Sequence, residues 1–157
     1  MKLIPGSDIN HDILKKGIYI SRIDDDITTY DIRMKEPNRG DYLTNSAMHT
    51  MEHIVKAYVR SSEFGENILY FGPMASRTGF YLLTRSLTDN YCIDLIRAAF
   101  QYVAEFWGKI PDAGHQDCGN CLEHNLPQAK EEAKEFLEVI KDWTREDLDY
   151  PKAEVEE

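Results

Sequence analysis

The chain is poor in cysteine: Cys92, Cys118 and Cys121 are the only three in 157 residues. An odd set of three is a weak disulfide framework, so free thiols or metal ligands in a reducing compartment are expected. Long apolar runs are missing as well. No stretch approaches the roughly 20 residues that cross a bilayer. The opening Met1-Lys2-Leu3-Ile4-Pro5-Gly6 also lacks the apolar core of a signal peptide. The cytoplasm is the expected location. Positive charge is scarce, 18 Lys and Arg against 28 Asp and Glu, for a formal charge of −10. With no basic stripe to displace counterions from phosphates, nucleic acid is not an expected partner. An anionic membrane surface is not an expected partner either, on the same ground. No internal repeat or low-complexity tract is visible. What is present, 42% hydrophobic and 29% charged residues, fits one globular domain over residues 1–157. Acidic residues crowd the end, so a solvated tail is expected from about residue 144.

Two runs rich in β-branched and aromatic residues, 17–23 and 27–34, flank Asp24-Asp25-Asp26 and predict an antiparallel hairpin. In the second run Tyr30, Ile32 and Met34 share one face, leaving Asp31 and Arg33 on the other. An arginine on a strand face is ordinarily solvated, and gains interest only where that face lines a cleft. Thr44, Asn45 and Ser46 are candidate N-caps for a helix to about Ser61, with Ala47, Met51, Ile54, Val55 and Tyr58 as its apolar stripe. Runs 67–71 and 79–84 predict two more strands. Gly72 and Pro73 open the connection between them with a bend that can turn Ser76 or Arg77 into a pocket. Thr88 or Asp89 caps a second helix to about Gly108. Residues 109–125 form a loop, and Asn125 caps a third helix with Pro127 in its first turn. The plan is α+β, an antiparallel sheet packed against helices.

Within the first helix, His49, Glu52 and His53 form an H-x-x-E-H pattern. Four residues apart on a helix, the two imidazoles project from one face and can share a metal ion. Glu52 lies beside that face and can handle a proton on a ligand held there. The order is that of the inverted zincins, in which the carboxylate activates a zinc-bound water. The plain alternative is a helix with two solvated histidines. A third ligand is needed, and Cys118 in the 109–125 loop is the best candidate outside the helix; His115, Cys121 and His124 share that loop. A His₂Cys set suits zinc or ferrous iron. A closed His₂Cys₂ site that includes Cys121 is also physically possible, but it leaves no position for a substrate.

Four short stretches, in order and separation, carry a resemblance. They are Asp31-Ile32-Arg33 followed by Pro37-Asn38, His49-Thr50-Met51-Glu52-His53, Gly72-Pro73-Met74 followed by Arg77-Thr78-Gly79, and Cys118-Gly119 followed by His124 and Leu126. With them the chain resembles the LuxS family, S-ribosylhomocysteine lyases that release homocysteine and the autoinducer-2 precursor 4,5-dihydroxy-2,3-pentanedione. The resemblance implies a LuxS-like fold and a homodimer with metal sites near the subunit interface. It implies one divalent metal per subunit on His49, His53 and Cys118, ferrous iron first and zinc or cobalt as alternatives. It also implies Glu52 as general acid/base, and His11 and Arg33 as residues that hold the substrate.

Two positions depart from the family pattern. Where relatives carry G-C after the Pro-Met pair, this chain has Ala75-Ser76, so Ser76 stands at the second acid/base position. A serine hydroxyl ionises far less readily than a thiol and needs a neighbouring base. Gly6-Ser7 stands where relatives tend to have S-F, at the substrate-binding end. Three readings follow: a working lyase, a metal-binding homologue whose activity is lost or altered through Ser76, and an H-x-x-E-H metallohydrolase.

Overall fold

The computed structural model describes residues 9–152. Gly6-Ser7 and residues 153–157 of the acidic end lie outside the described residues. The elements are β1 (Gly17–Asp24), β2 (Ile27–Arg33), α1 (Asn45–Arg60), β3 (Ile68–Pro73), β4 (Gly79–Arg85), α2 (Asp89–Glu105) and α3 (Leu126–Ile140). Single 3₁₀ turns sit at Gly65–Asn67 and Arg145–Asp147. The expected helix to Gly108 stops at Glu105, because Phe106 takes an extended backbone and Gly108 a left-handed φ of 104°.

The two hairpins join through β2 and β4 into one antiparallel sheet of order β1-β2-β4-β3. One face is apolar. Ile18, Tyr30, Ile32, Phe71, Phe80 and Leu82 meet Met51, Ile54 and Val55 of α1, Ile96 and Phe100 of α2 and Phe136 of α3 in one buried cluster. Helix α1 lies against β3, α3 against β1, and α2 packs across α1 and α3. The period-2 alternation of the strands and the helical stripe of α1 produce this layer directly. Each helix is capped as its sequence requires: Thr44, Thr88 and Asn125 accept the N–H of Ala47, Tyr91 and Gln128.

The opposite face of the sheet is polar yet covered. Register places Tyr19, Asp31 and Tyr81 in one row across β1, β2 and β4, with Gly17, Arg33 and Gly79 in the next. Asp31 and Arg33 are 0% and 2% exposed, so the arginine is not solvated. The chain after α3 supplies part of the cover. Trp143 donates its indole N–H to the Ile18 carbonyl, fills the space left by Gly17, and meets Tyr19 edge-on. Tyr150 stacks on Tyr19 and donates its hydroxyl to Asp31 Oδ2 at 2.7 Å. Leu148 is buried and its carbonyl accepts the N–H of Ile20. Within the stretch expected as a solvated tail from about residue 144, residues 144–147 and Asp149 are exposed, while Leu148 and Tyr150 pack as anchors. The acidic composition of this stretch masked them.

Candidate active site

Helix α1 presents His49 and His53 on one face, with ring centroids 4.7 Å apart. Each is fixed from behind by the loop that follows α2. His49 Nδ1 lies 2.8 Å from the Glu123 carbonyl oxygen, and His53 Nδ1 lies 2.8 Å from that of Pro111. A carbonyl oxygen only accepts, so each Nδ1 donates, and each neutral ring turns a bare Nε2 lone pair inward. The two Nε2 atoms are 3.0 Å apart, with Cys118 Sγ at 3.3 and 3.7 Å from them. Lone pairs at that separation repel unless a cation lies between them. Metal–ligand lengths of about 2.0–2.1 Å for imidazole and 2.3 Å for thiolate give tetrahedral edges of roughly 3.3–3.6 Å, close to this triangle. The residues present fit a divalent metal.

His124 joins them, and the donor atoms of His49, His53, Cys118 and His124 all lie within 4.8 Å of one another. Its ring stacks on His49 at 4.1 Å and 17°. Burial, reinforced by the neighbouring His49 and His53, pushes its pKa below the ordinary histidine value. Its Nδ1 is 3.0 Å from Thr50 Oγ1, and its Nε2 is buried with no hydrogen-bond partner among the described residues. Sequence reasoning held His124 as a neighbour of Cys118 in the 109–125 loop and as part of a matching stretch, without giving it a role. The available signal was its place in the loop of Cys118, immediately before the α3 N-cap. Cys121 is not in this donor group, and His115 is exposed. Glu52, between His49 and His53 on α1, pairs with Lys56 at 3.1 Å. A polar cleft of about 350 Å³ opens here, lined by His53, Lys56, Arg60, Asp112 and Asp117 among others.

The remaining candidates meet elsewhere. His11, Arg33 and Ser76 line one cleft of about 400 Å³, together with Tyr42, Arg77 and Thr78. The turn carrying Ser76 is pinned by backbone bonds from Met74 to the Gly79 carbonyl and from Arg77 to that of Met74. Arg77 takes a left-handed φ of 60° to close it. A Cβ at Gly79 would collide with the Ile32 carbonyl oxygen, so only glycine lets this turn sit so close to β2. Arg33 donates to Asp31 Oδ2 and to Thr78 Oγ1, each at 2.7 Å. Ser76 Oγ lies 2.7 Å from Thr78 Oγ1. Arg33 Nε and Asp31 Oδ1 are buried with no partner among the described residues. Among the described residues none lines both clefts.

A family model described as S-Ribosylhomocysteinase (LuxS) matches residues 4–147. The chain belongs to the LuxS family. Relatives named S-ribosylhomocysteine lyase agree with it nearly end to end. The Phocaeicola vulgatus protein is 44% identical across 98% of this chain and the whole of that protein. The Porphyromonas gingivalis protein is 42% identical across 96% of this chain and 99% of its own length. That of Clostridium acetobutylicum is 38% identical over the same shares. The α+β expectation agrees with the LuxS assignment and with the sheet and helices described above.

Proposed function

We propose that this chain is an S-ribosylhomocysteine lyase, cleaving its substrate to homocysteine and 4,5-dihydroxy-2,3-pentanedione. The observation that carries the reading is the inward-facing His49–His53–Cys118 triangle in a chain of the LuxS family. A divalent ion held by these three residues, ferrous iron first and zinc or cobalt as alternatives, would supply Lewis acidity toward the sugar's carbonyl and hydroxyl oxygens. Glu52 is the proton shuttle between sugar carbons and oxygens as the carbonyl migrates, with Lys56 orienting its carboxylate. Once the carbonyl stands β to the thioether, loss of the intervening C–H proton expels the homocysteine thiolate.

Arg33 and His11 hold the polar groups of the substrate. Arg33 Nε–H, buried beside the cleft with no hydrogen-bond partner among the described residues, supports this. Ser76 occupies the second acid/base position. Among the described residues the two clefts have no lining residue in common. A homodimer that sets the donors of one protomer against the Arg33 cleft of its partner would complete the site, in a single-domain cytoplasmic enzyme. Among the described residues no helix is long and apolar enough to cross a membrane.

A second reading rests on one feature. The only side-chain partner of Ser76 Oγ among the described hydrogen bonds is Thr78, a hydroxyl and not a base. A LuxS homologue that binds metal and substrate without turnover would have this arrangement. Thiol release from S-ribosylhomocysteine by the Fe²⁺-loaded native chain, run beside Ser76→Cys, separates the two. Release by the native chain supports the lyase, and release by Ser76→Cys alone supports the homologue.

A further inference from the structure

His124 is one of the four donors around the centre, and its proton decides what it can do there. Thr50 is 0% exposed, so its hydroxyl hydrogen needs an internal acceptor. A threonine oxygen has one hydrogen and two lone pairs. One lone pair of Thr50 Oγ1 is taken by the Asn125 N–H at 2.9 Å. Among the described hydrogen bonds the only acceptor within reach of the hydroxyl hydrogen is His124 Nδ1 at 3.0 Å. If Thr50 donates to Nδ1, the neutral ring carries its proton on Nε2. That is the reverse of His49 and His53, whose Nδ1 protons go to the carbonyls of Glu123 and Pro111. Three histidines crowd one site, two with a lone pair inward and the third with a buried N–H beside them. The buried, unpartnered Nε2 of His124 is then a hydrogen-bond donor without an acceptor.

We propose that His124 is a catalytic residue, a neutral hydrogen-bond donor whose Nε2–H meets the sugar oxygen that gains negative charge beside His49, His53 and Cys118, and is not a fourth ligand. The role rests on the lyase reading; the tautomer does not. A fourth protein ligand would close a site that needs an open position for substrate. A fixed N–H aimed at that position would instead stabilise the developing oxyanion, the kind of contact whose loss costs about 10²–10³ in kcat. The threonine and the capping backbone of α3 lock the ring, so the donor needs no reorganisation as charge develops.

The first test needs no variant. In the Zn²⁺-loaded protein, long-range ¹H–¹⁵N spectra of the imidazoles should show Nδ1–H with metallated Nε2 for His49 and His53, and Nε2–H with bare Nδ1 for His124. A metallated or unprotonated Nε2 at His124, a doubly protonated ring, or failure to bind one Zn²⁺ per chain would overturn the proposal. The second test compares His124→Leu with His124→Gln, whose side-chain amide restores a neutral donor. With one metal retained per chain, kcat for thiol release should fall about 10²–10³-fold in His124→Leu with KM changed far less, and recover in part in His124→Gln. Equal kcat in native and His124→Leu protein would overturn the role. If the native chain releases no thiol, the lyase reading has failed on its own. Acetohydroxamate, an oxyanion chelator, then decides on the Co²⁺-loaded protein: its Kd should rise at least tenfold in His124→Leu, and an unchanged Kd would overturn the proposal.

Discussion

His49 and His53 stand one helical turn apart on α1, and the loop before α3 brings Cys118 and two carbonyl acceptors to them. Arg33, Ser76 and His11 come instead from a strand, a turn and the chain before β1, and meet only because sheet register and the 74–78 turn bring them together. The histidine pair is therefore set by local spacing, whereas Cys118, the carbonyl acceptors and the whole cleft half depend on long-range contacts. The two halves also differ in how they treat charge. The donor cluster presents bare lone pairs that call for a cation. The cleft is built over a cation already paired, Arg33 held by Asp31 and Thr78 with Tyr150 capping the carboxylate. Damage to the first should remove metal while the fold survives. Damage to the second should reach the fold itself.

The sharpest break in that comparison is His53→Ala. It should lose metal affinity by more than the roughly 10–100-fold that loss of an outer partner costs, with thiol release abolished and secondary structure retained. Metal analysis beside circular dichroism checks it. Next is Ser76→Cys, expected to raise thiol release by up to the roughly 10²–10⁴-fold range of general acid–base catalysis, with metal content unchanged.

Arg33→Met strands the buried carboxylate of Asp31, and urea unfolding should register about 3–5 kcal/mol of lost stability. Metal affinity per folded chain should be unchanged. If the metal is lost with the ion pair, the two halves are not separable.

A smaller effect concerns pH. Burial, then the nearby Asp31 charge, pushes the Tyr19 pKa up to about 12, and the same two causes raise that of Tyr150. Both folded values exceed the unfolded one near 10. Above that pH the unfolded chain has shed protons that the folded chain keeps, so stability should be intact below pH 10 and decline as pH rises toward 12. Urea midpoints at pH 8, 10.5 and 11.5 measure this, and Tyr150→Phe should flatten the decline. The smallest expected effect is that of Cys121→Ser, which should leave metal stoichiometry and affinity unchanged, because Cys121 is outside the donor group.

Much of the fold can be read from local pattern: the strands, the three caps and the α1 stripe all occur where alternation and capping chemistry put them. The end of α2 could not be read so well, because Phe106 continues the apolar periodicity while its backbone leaves the helix. The burial of Arg33 was equally out of reach. Its environment depends on Thr78 and on Tyr150, 45 and 117 residues away in sequence, and no short window contains them. The acidic stretch after Thr144 misled for a related reason, since net charge conceals two apolar anchors. At the site, the donor atoms of His49, His53, Cys118 and His124 lie within 4.8 Å of one another. His124 escaped as a functional residue because its tautomer is set by Thr50, a threonine that in sequence is only one more helical residue of the motif.

The most direct test of the account is continuous thiol release from S-ribosylhomocysteine by the native chain loaded with one Fe²⁺ or Co²⁺ per subunit. The account predicts repeated turnover that is lost in Glu52→Gln. Metal bound at one per subunit with no thiol released, while Ser76→Cys releases it under the same conditions, would contradict the lyase reading of this chain.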